Sequence, residues 1–462
     1  MLSFACLNTN YIIPNTMTAM QADKTTISDL SIFKAEEEQS ILNKLDFTTT
    51  AGGREWLRIL LSKPLDNLKK IQETQQTILS LVSLLPQLPQ TISNGTIMVV
   101  ERFYDTAIDD IPSANAANGL AYKLFHTADY SLTRYSVSHF IELCKGLSSF
   151  AQLAAKTNAS FLQTTSARIA LLLNQPVVKQ MIDYDKSKTL SLTDVLHFGG
   201  FVRRQYKEKA LELTDIYNRL DAYISLATAY KNFGFCMPQF LETDTPFFDA
   251  KQLYHPLLHT PVAYNITLAQ QQNFLFMTGA NMAGKSTFIK AIGVSAYLAH
   301  LGMGVPAESL TLSMFDGLLS NIQVVDNIIQ GESYFFNEVQ RIRKTIEKIS
   351  DGRKWLILID ELFKGTNVQD AMKCSTVVIE GLRKMPNALF ILSTHLYEIG
   401  EELKQYSNIQ FRYFETEVKE DQLSFSYHLK EGISNDRLGY LILKREGVVS
   451  LLNQLSVEKV NT

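Results

Sequence analysis

The sequence predicts an α plus α/β fold: a helical domain followed by an α/β domain with a mostly parallel, doubly wound sheet. Two observations predict it. Long stretches without proline and almost without glycine fill much of the first half, and stretches of this kind that are rich in Leu, Ala, Lys and Glu favour helices. Of the 22 glycines, 8 precede residue 271 and 14 follow it, where short apolar runs alternate with glycine-bearing turns.

Composition narrows the class of protein. A chain of 462 residues is long enough for about two to four domains. Its formal net charge of −3 excludes a general basic field that attracts nucleic acid or anionic lipid. Four widely spaced cysteines exclude a disulfide scaffold and a cysteine zinc site. Without a membrane-spanning run or a secretory signal, we expect a cytoplasmic protein with no membrane partner.

The helical half is predicted from residues Ser113–Gln175 and Arg203–Phe233, which lack proline and nearly lack glycine. In the second stretch, apolar side chains form one broad helical stripe, as in a helix that buries one face. The members of this predicted stripe are Leu211, Ile216, Leu220, Tyr223, Ile224 and Ala227.

Three apolar runs of strand length follow: Phe274–Thr278, Trp355–Ile359 and Leu389–Ser393. Runs that are apolar on both faces fit parallel strands covered by helices on both sides. Ligands of such sheets bind at the carboxyl ends of the strands. We therefore expect the chemistry of the protein to lie just after these runs.

The first run leads into a phosphate-binding motif, GxxxxGK[ST], and then into a predicted helix at Thr287–Leu301. Glycines let backbone N–H groups converge on phosphate oxygens at the start of a helix. Lys285 is expected to reach the β- and γ-phosphates, and Ser286 to hold Mg²⁺. The predicted nucleotide-binding residues are Gly279, Ala280, Asn281, Met282, Ala283, Gly284, Lys285, Ser286 and Thr287.

The second run leads directly into two acids. Asp360 at a buried strand end is expected to hold Mg²⁺ through water, and Glu361 to orient an attacking water molecule or accept its proton. This pair suits a hydrolase better than a kinase, which remains a weaker alternative. ATP and Mg²⁺ are thus the expected cofactors.

Three further features fall beside these motifs. His395 follows the third run, where a histidine can sense a γ-phosphate. Thr366 and Asn367 belong to a loop placed to line a subunit junction. Ser333 stands before a predicted helix at Tyr334–Ile349, where free N–H groups can bind an anion, although most such serines are ordinary helix caps.

Together these residues resemble the ATPase domain of the MutS family of mismatch-repair proteins, an ABC-type P-loop ATPase. The likeness is carried by residues 278–293 (TGANMAGKSTFIKAIG), 324–339, 356–371 and 393–399 (STHLYEI). Ala280 and Ala283 replace a proline and a glycine of the family pattern. Both replacements are small, so the approach of the phosphates is expected to survive them.

The resemblance continues upstream through residues 48–79 and 220–240, the His-Pro step at 255–256, and a closing segment at 427–448. It implies three parts: an N-terminal extension (1–27), a helical core and lever domain with a reduced or absent clamp (28–250), and an ATPase domain with a C-terminal dimerisation segment (251–462). It also implies a truncated form that lacks the family's mismatch-reading and connector domains.

The resemblance implies a nucleotide held between two protomers of a homodimer. Ser333 of one chain then caps the γ-phosphate held by Lys285 of the other, and Glu361, Lys285, His395 and Ser333 form the catalytic set. Val262 and Tyr264 lie where the family packs the adenine, although an apolar strand explains them equally well.

Two functions remain open. In the first, an ATP-hydrolysing dimer acts on irregular or branched DNA together with a repair or recombination partner. Arg203, Arg204 and Lys207 are then the compact basic candidates for DNA contact, although such a cluster is more often a solvated helix face. In the second, the chain is a nucleotide-switched dimer that binds a protein and no DNA.

Overall fold

The computed structural model of the chain describes residues 19–34, 39–89, 91–185, 187, 189–280, 282–322, 334–419, 422–434, 443, 447, 448 and 451. Within these residues, helices dominate up to residue 233, and strands alternate with helices from residue 239 onward. The mixed helix-and-sheet class predicted from the sequence is therefore confirmed. No helix of the described part combines the length and hydropathy needed to cross a bilayer.

The helices of the first half are short to long segments separated by brief turns. Their bounds are α1 Lys24–Asp29, α2 Ile41–Leu45, α3 Ala51–Ser62, α4 Leu68–Leu84, α5 Asn94–Asp105, α6 Ala116–Phe125, α7 Thr127–Ala154, α8 Ser160–Leu173, α9 Pro176–Asp183, α10 Leu192–Gln205 and α11 Lys207–Phe233. Most of them begin after a Ser, Thr, Asn or Asp whose side chain accepts a backbone N–H of the first turn, which stabilises a helix start. The predicted stretch 113–175 is thus divided among α6, α7 and α8, and Tyr206 separates α10 from α11.

Helix α11 lies at the centre of this half, in contact with α2, α3, α4, α5, α8 and α10. The predicted single apolar stripe is therefore wrong in part. Leu211 is 36% exposed, whereas the polar residues Asn218, Asp221 and Ser225 are buried. A helix surrounded by neighbours buries more than one face, so a one-sided pattern underestimates what it covers.

The buried polar residues of α11 hold the turn before α3. The Asp221 carboxylate accepts the N–H groups of Thr49 and Thr50 at 2.9 and 2.8 Å. The approach is close: a Cβ on Gly52 would lie 2.2 Å from the Asn218 amide, and one on Gly53 would lie 2.2 Å from Asp221. The paired glycines at 52–53 therefore let α3 pack directly on α11.

A seven-stranded sheet with strand order β1-β7-β8-β9-β5-β10-β11 joins six strands of the second half to β1, which precedes the first helix. Its strands are β1 Gln21–Ala22, β5 Phe274–Thr278, β7 Gly317–Asn321, β8 Trp355–Asp360, β9 Ala388–Ser393, β10 Ile409–Lys419 and β11 Gln422–Glu431. All neighbours pair in parallel except β10 and β11. A smaller sheet contains β2 Gln239–Leu241, β3 Phe247–Leu253, β4 Tyr264–Ala269 and β6 Ser309–Ser313. The three predicted strands are β5, β8 and β9.

Successive residues of the central strands point into two different cores. Leu275 and Met277 belong to a core that also contains Phe288 and Ile289 of α12 (Lys285–His300). Phe274 and Phe276 belong to the other core, with α13 (Tyr334–Ile349), α14 (Val368–Leu382) and α15 (Glu398–Leu403). The first core continues without a break into α3 and α11, so packing alone marks no boundary at residue 250, and that division stays a prediction.

The N-terminal strand and helix belong to the large sheet. Strand β1 pairs in parallel with β7, and buried Asp29 at the end of α1 accepts the N–H of Ile322 at 3.0 Å. The boundary predicted between residues 27 and 28 consequently falls inside α1.

His300 closes α12 inside the first core. Its Nδ1 lies 2.8 Å from the carbonyl of Ala296, and its Nε2 accepts the N–H of Phe315 at 2.9 Å. This pattern requires the neutral imidazole with the proton on Nδ1. Complete burial lowers the pKa of His300 to about 4.

We expect His300 to make the protein less stable in mild acid. Between pH 6.5 and about 4 the unfolded chain binds a proton at this residue and the folded chain does not. The free energy of unfolding should therefore fall as pH decreases through this window, by at most about 1.4 kcal/mol per pH unit from this group. His300→Gln, which cannot titrate, should show a shallower dependence in urea unfolding between about pH 7 and about pH 5.

His255, whose pKa burial also lowers to about 4, titrates in both proteins, so the difference between them reports residue 300. Identical slopes for the two proteins would contradict the neutral, buried imidazole.

Candidate active site

A tight loop joins β5 to α12. Gly279, Met282 and Gly284 take positive φ values of 142°, 67° and 105°, and Gly284 is the N-cap of α12. The left-handed residue before Gly284 is thus Met282, not Ala283. Because Ala283 needs no left-handed backbone, its methyl group fits a position where glycine is the expected residue, and it is 1% exposed.

The Lys285 ammonium lies inside this loop. It donates to the carbonyl oxygens of Gly279 and Ala280 at 2.7 and 2.9 Å, and lies 3.4 Å from His395 Nε2. Burial lowers the pKa of Lys285 to about 8, although Asp360 and Glu361 oppose the shift. Burial and the adjacent ammonium also lower the pKa of His395, so the imidazole is neutral and its Nε2 can accept a hydrogen bond from the Lys285 ammonium.

The two acids stand at the end of β8, beside the ends of β5 and β9. The Asp360 carboxylate accepts the Ser286 hydroxyl at 2.5 Å through one oxygen and the Ser393 hydroxyl through the other. Glu361 has a φ of 68°, and its carboxylate lies 3.4 Å from the Lys364 ammonium. The predicted metal pair, Ser286 and Asp360, is therefore in direct contact.

These groups line one cavity of about 580 Å³. At its polar end lie the cradle residues from Ala280 to Thr287 that the structure describes, the two acids, Lys364 and His395. Its other wall is formed by Leu258, Thr260, Val262, Tyr264 and Tyr427. An ammonium, a hydroxyl, two carboxylates and an imidazole thus face a space next to an apolar and aromatic wall, an arrangement suited to a ligand with an anionic end and a flat apolar end.

Comparison with known proteins identifies the family. Residues 275–454 match the family model named MutS domain V, and this stretch contains the loop, both acids and His395. The DNA mismatch repair protein MutS of Oceanobacillus iheyensis is 28% identical over 255 residues, and MutS protein homolog 4 of Mus musculus is 27% identical over 357 residues. Residues 275–454 of the chain belong to the MutS family.

The similarity covers only part of these relatives. It includes 53% of this chain and 28% of the bacterial MutS, and 73% of this chain and 36% of the mouse homolog 4. MutS protein homolog 4 of Homo sapiens is 30% identical over 237 residues, which is 49% of this chain and 25% of that protein. The chain thus spans about a quarter to a little over a third of the length of these relatives.

Within this MutS-family chain, the loop after the acids is held by a residue that the sequence analysis missed. Glu338 of α13 is 3% exposed, and its carboxylate accepts the N–H groups of Lys364 and Gly365. Asn367, expected at a subunit junction, caps α14 through a 3.0 Å bond from the Asp370 N–H. Its neighbour Thr366 lies half-buried in the same loop.

The sequence analysis named Val262 and Tyr264 in the apolar wall of the cavity, but not Leu258, Thr260 or Tyr427. Tyr264 is 7% exposed, and its ring packs edge-on against Phe288 and Phe414, so it serves mainly as a core residue. Tyr427 of β11 is 40% exposed and lines the cavity. Its distance of more than 140 residues from the phosphate motif left no local sequence signal to identify it.

Two predicted site residues, Asn281 and Ser333, lie outside the described residues. The geometry above therefore concerns the remaining cradle residues, the acids, Lys285 and His395. Their roles stay predictions, although their positions in one cavity agree with them.

The predicted basic residues lie far from the cavity in the fold, at the junction of α10 and α11. The Arg203 guanidinium donates to the carbonyls of Phe103 and Thr106. Arg204 donates to the carbonyl of Ile111 at 2.7 Å and pairs with an exposed aspartate. The Lys207 ammonium lies 5.8 Å from the ring centroid of Tyr104. Both arginines therefore tie α10 to the end of α5 and the segment after it, and Arg204 and Lys207 are both exposed.

We expect the Lys285 amine to become reactive near pH 8. Since the neutral amine is the nucleophile, its acetylation by trace acetic anhydride should rise with an inflection near the pKa of about 8. Peptide mass spectrometry across a pH series measures this curve for each lysine.

Lys69, an exposed lysine of α4, supplies the reference curve in the same digest. If the acetylation curve of Lys285 superimposes on that of Lys69, burial does not lower the pKa of the Lys285 ammonium.

Proposed function

We propose that this MutS-family chain binds and hydrolyses Mg-ATP in the cavity at the strand ends. The observation that supports this most is the meeting of Lys285, Ser286, Asp360, Glu361 and His395 in one place. They follow three different strands, and a purely structural role gives no reason for them to share a cavity. We further propose that the sheet is the doubly wound core of an ABC-type P-loop ATPase, since its central strands are parallel and carry a core on each face.

The phosphates are assigned to the loop between β5 and α12. The positive φ values of Gly279 and Gly284 turn this backbone around a small space at the start of a helix, where N–H groups and the helix dipole favour an anion. Phosphate oxygens then compete with two loop carbonyls for the Lys285 ammonium. Because a nearby anion stabilises the charged lysine, phosphate binding is expected to raise the pKa of Lys285 above the value of about 8.

The magnesium assignment agrees with the donor set. Ser286 and Asp360 present a hydroxyl and a carboxylate in contact, and magnesium prefers oxygen ligands of this kind, often with water between. When bound, the ion would neutralise charge on the phosphate oxygens. The Ser393 hydroxyl holds the second Asp360 oxygen, which fixes the orientation of the carboxylate.

Hydrolysis is assigned to Glu361. Its carboxylate projects from the residue next to the metal-binding acid, and it can orient a water molecule or accept its proton. This carboxylate lies 3.4 Å from the Lys364 ammonium, which lines the same cavity. Neutral His395 beside Lys285 is placed to contact the same terminal phosphate.

We expect Glu361→Gln to lower the rate of ATP hydrolysis by roughly 100-fold or more, because the amide can neither accept a proton nor carry charge. ATP affinity should stay close to wild type, since the phosphate loop is unchanged. Steady-state phosphate release and equilibrium binding of labelled ATP separate the two quantities.

Glu347→Gln is the matched control, because Glu347 is an exposed residue of α13 that pairs with Arg343. Turnover at the wild-type rate in Glu361→Gln would remove Glu361 from its assigned role.

The dimer proposal extends this site across two chains. Its support is the likeness to the MutS family together with the loop that follows Lys364 of the cavity wall, in which Asn367 is exposed and Thr366 is half-buried. Ser333 of a second chain is proposed to cap the γ-phosphate. ATP retained by Glu361→Gln should then increase the dimer fraction measured by light scattering.

We propose irregular or branched DNA as the substrate on which the ATP cycle acts, in a repair or recombination setting. The support is the likeness to proteins named DNA mismatch repair protein MutS. The alternative is a nucleotide-switched module that binds a protein. One observation favours it: the guanidinium groups of Arg203 and Arg204 donate to backbone carbonyls of the same chain. Lys207, which is exposed, is then the residue of the predicted cluster that donates to none of these carbonyls.

The DNA proposal predicts steeply salt-dependent binding. Each phosphate that the protein neutralises contributes about 0.9 to the slope of log affinity against log salt. Lys207→Ala should reduce that slope by about one if this lysine contacts a phosphate. Fluorescence anisotropy with duplex, mismatched and branched DNA at several salt concentrations measures it.

Lys69→Ala, an exposed lysine on α4, is the matched control and should leave the slope unchanged. Absence of binding to every DNA, with ATP hydrolysis intact, would favour the protein-binding alternative.

A further inference from the structure

One buried carboxylate fastens the loop that follows the two acids. Glu338 Oε1 accepts the N–H of Lys364 at 3.0 Å, and Oε2 accepts the N–H of Gly365 at 3.1 Å. Glu338 is 3% exposed, and a buried carboxylate is costly unless hydrogen bonds satisfy it. This residue therefore acts as a rigid two-point anchor between α13 and the loop.

The anchored loop has an unfavourable backbone. Glu361 and Phe363 have φ values of 68° and 59°, in the left-handed region that residues with a Cβ avoid. Such a conformation persists only where the surrounding contacts determine it. On its upstream side, the Glu361 N–H donates to the Ser393 carbonyl at 2.8 Å.

Helix α13 supplies the downstream contacts. The Phe363 ring is 5% exposed and lies 5.7 Å, between centroids, from the Phe335 ring of α13. Glu338, one turn further along α13, binds the two N–H groups that follow Phe363. Glu361 is thus held in its left-handed conformation between the end of β9 on one side and α13 on the other.

We propose that Glu338 is a positioning residue for Glu361. This inference rests on the proposed ATP hydrolysis. Loss of the carboxylate frees Lys364 and Gly365, so residues 361–363 can relax out of the left-handed region and carry the Glu361 side chain away from the reacting water. The phosphate loop follows a different strand, and none of its described residues is hydrogen-bonded to Glu338.

The test uses Glu338→Gln and Glu338→Ala in the full chain. Glutamine keeps one acceptor oxygen and alanine keeps none. We expect the kcat for ATP hydrolysis to fall by about 10- to 100-fold in the alanine variant and by less in the glutamine variant. The Kd for Mg-ADP should change by less than about threefold, because ground-state binding is untouched. If the alanine variant does not fold, the glutamine variant carries the measurement.

Asp221 provides the matched control. It is 2% exposed and likewise accepts two successive backbone N–H groups, those of Thr49 and Thr50, but in the helical half. Asp221→Asn should lower the unfolding midpoint and leave kcat unchanged. The pair of variants thus separates lost stability from lost positioning.

The outcomes are distinct. A lower kcat with unchanged ADP affinity in the Glu338 variants, absent from Asp221→Asn, supports the positioning role. A wild-type kcat in Glu338→Ala overturns it while the proposed function stands. An equal loss of kcat in Asp221→Asn also overturns it, because general destabilisation then explains the effect. A wild-type chain that binds but does not hydrolyse Mg-ATP refutes the proposed hydrolysis itself.

Discussion

The register of three parallel strands is the constraint on which the candidate site depends. Asp360 of β8 pairs with Ser393 of β9, and Ser393 pairs with Met277 of β5. The segments that follow these strands therefore begin along one line. The Asp360 carboxylate accepts the hydroxyl groups of Ser286, which follows β5, and of Ser393 at the end of β9. A slip of one residue would turn every side chain of a strand to the other face, and would carry Lys285 away from His395 and the acids.

Helix α12 connects this line of strand ends to the helical half. It begins at Lys285 and ends at His300, and its C-terminal end is bonded to the region of α3. The Tyr297 hydroxyl donates to the Leu61 carbonyl at 2.8 Å, and the Leu65 N–H donates to the His300 carbonyl at 2.9 Å. Because α12 is packed inside the first core along its length, this one helix connects the phosphate loop to α3.

The sequence was sufficient to predict the site residues that belong to local motifs. It was insufficient for residues whose roles depend only on contacts between distant parts of the chain. Lys285, Asp360 and His395 follow continuous apolar runs, so local pattern and strand topology together placed them. Glu338 and Tyr427 have no such neighbours, and their roles depend on contacts across the fold. The prediction that Leu211 lies on a buried stripe was wrong for the same reason, since α11 has neighbours on several sides. Arg203 and Arg204 looked like a free basic cluster because their acceptors are backbone carbonyls, which have no sequence signature.

The polar end of the cavity and the exposed surface of the helical half are built from different parts of the chain. Every described residue at the polar end of the cavity comes from the part of the chain after residue 279, whereas the exposed surface of the helical half contributes none. Changes on that surface can therefore alter what the protein contacts without altering phosphate binding or the acids. A conserved type of site can serve different partners on one fold, so membership of the MutS family bears more directly on the nucleotide chemistry than on the identity of the partner. In the helical half, two of the three predicted DNA-binding residues, Arg203 and Arg204, already donate to backbone carbonyls of the same chain.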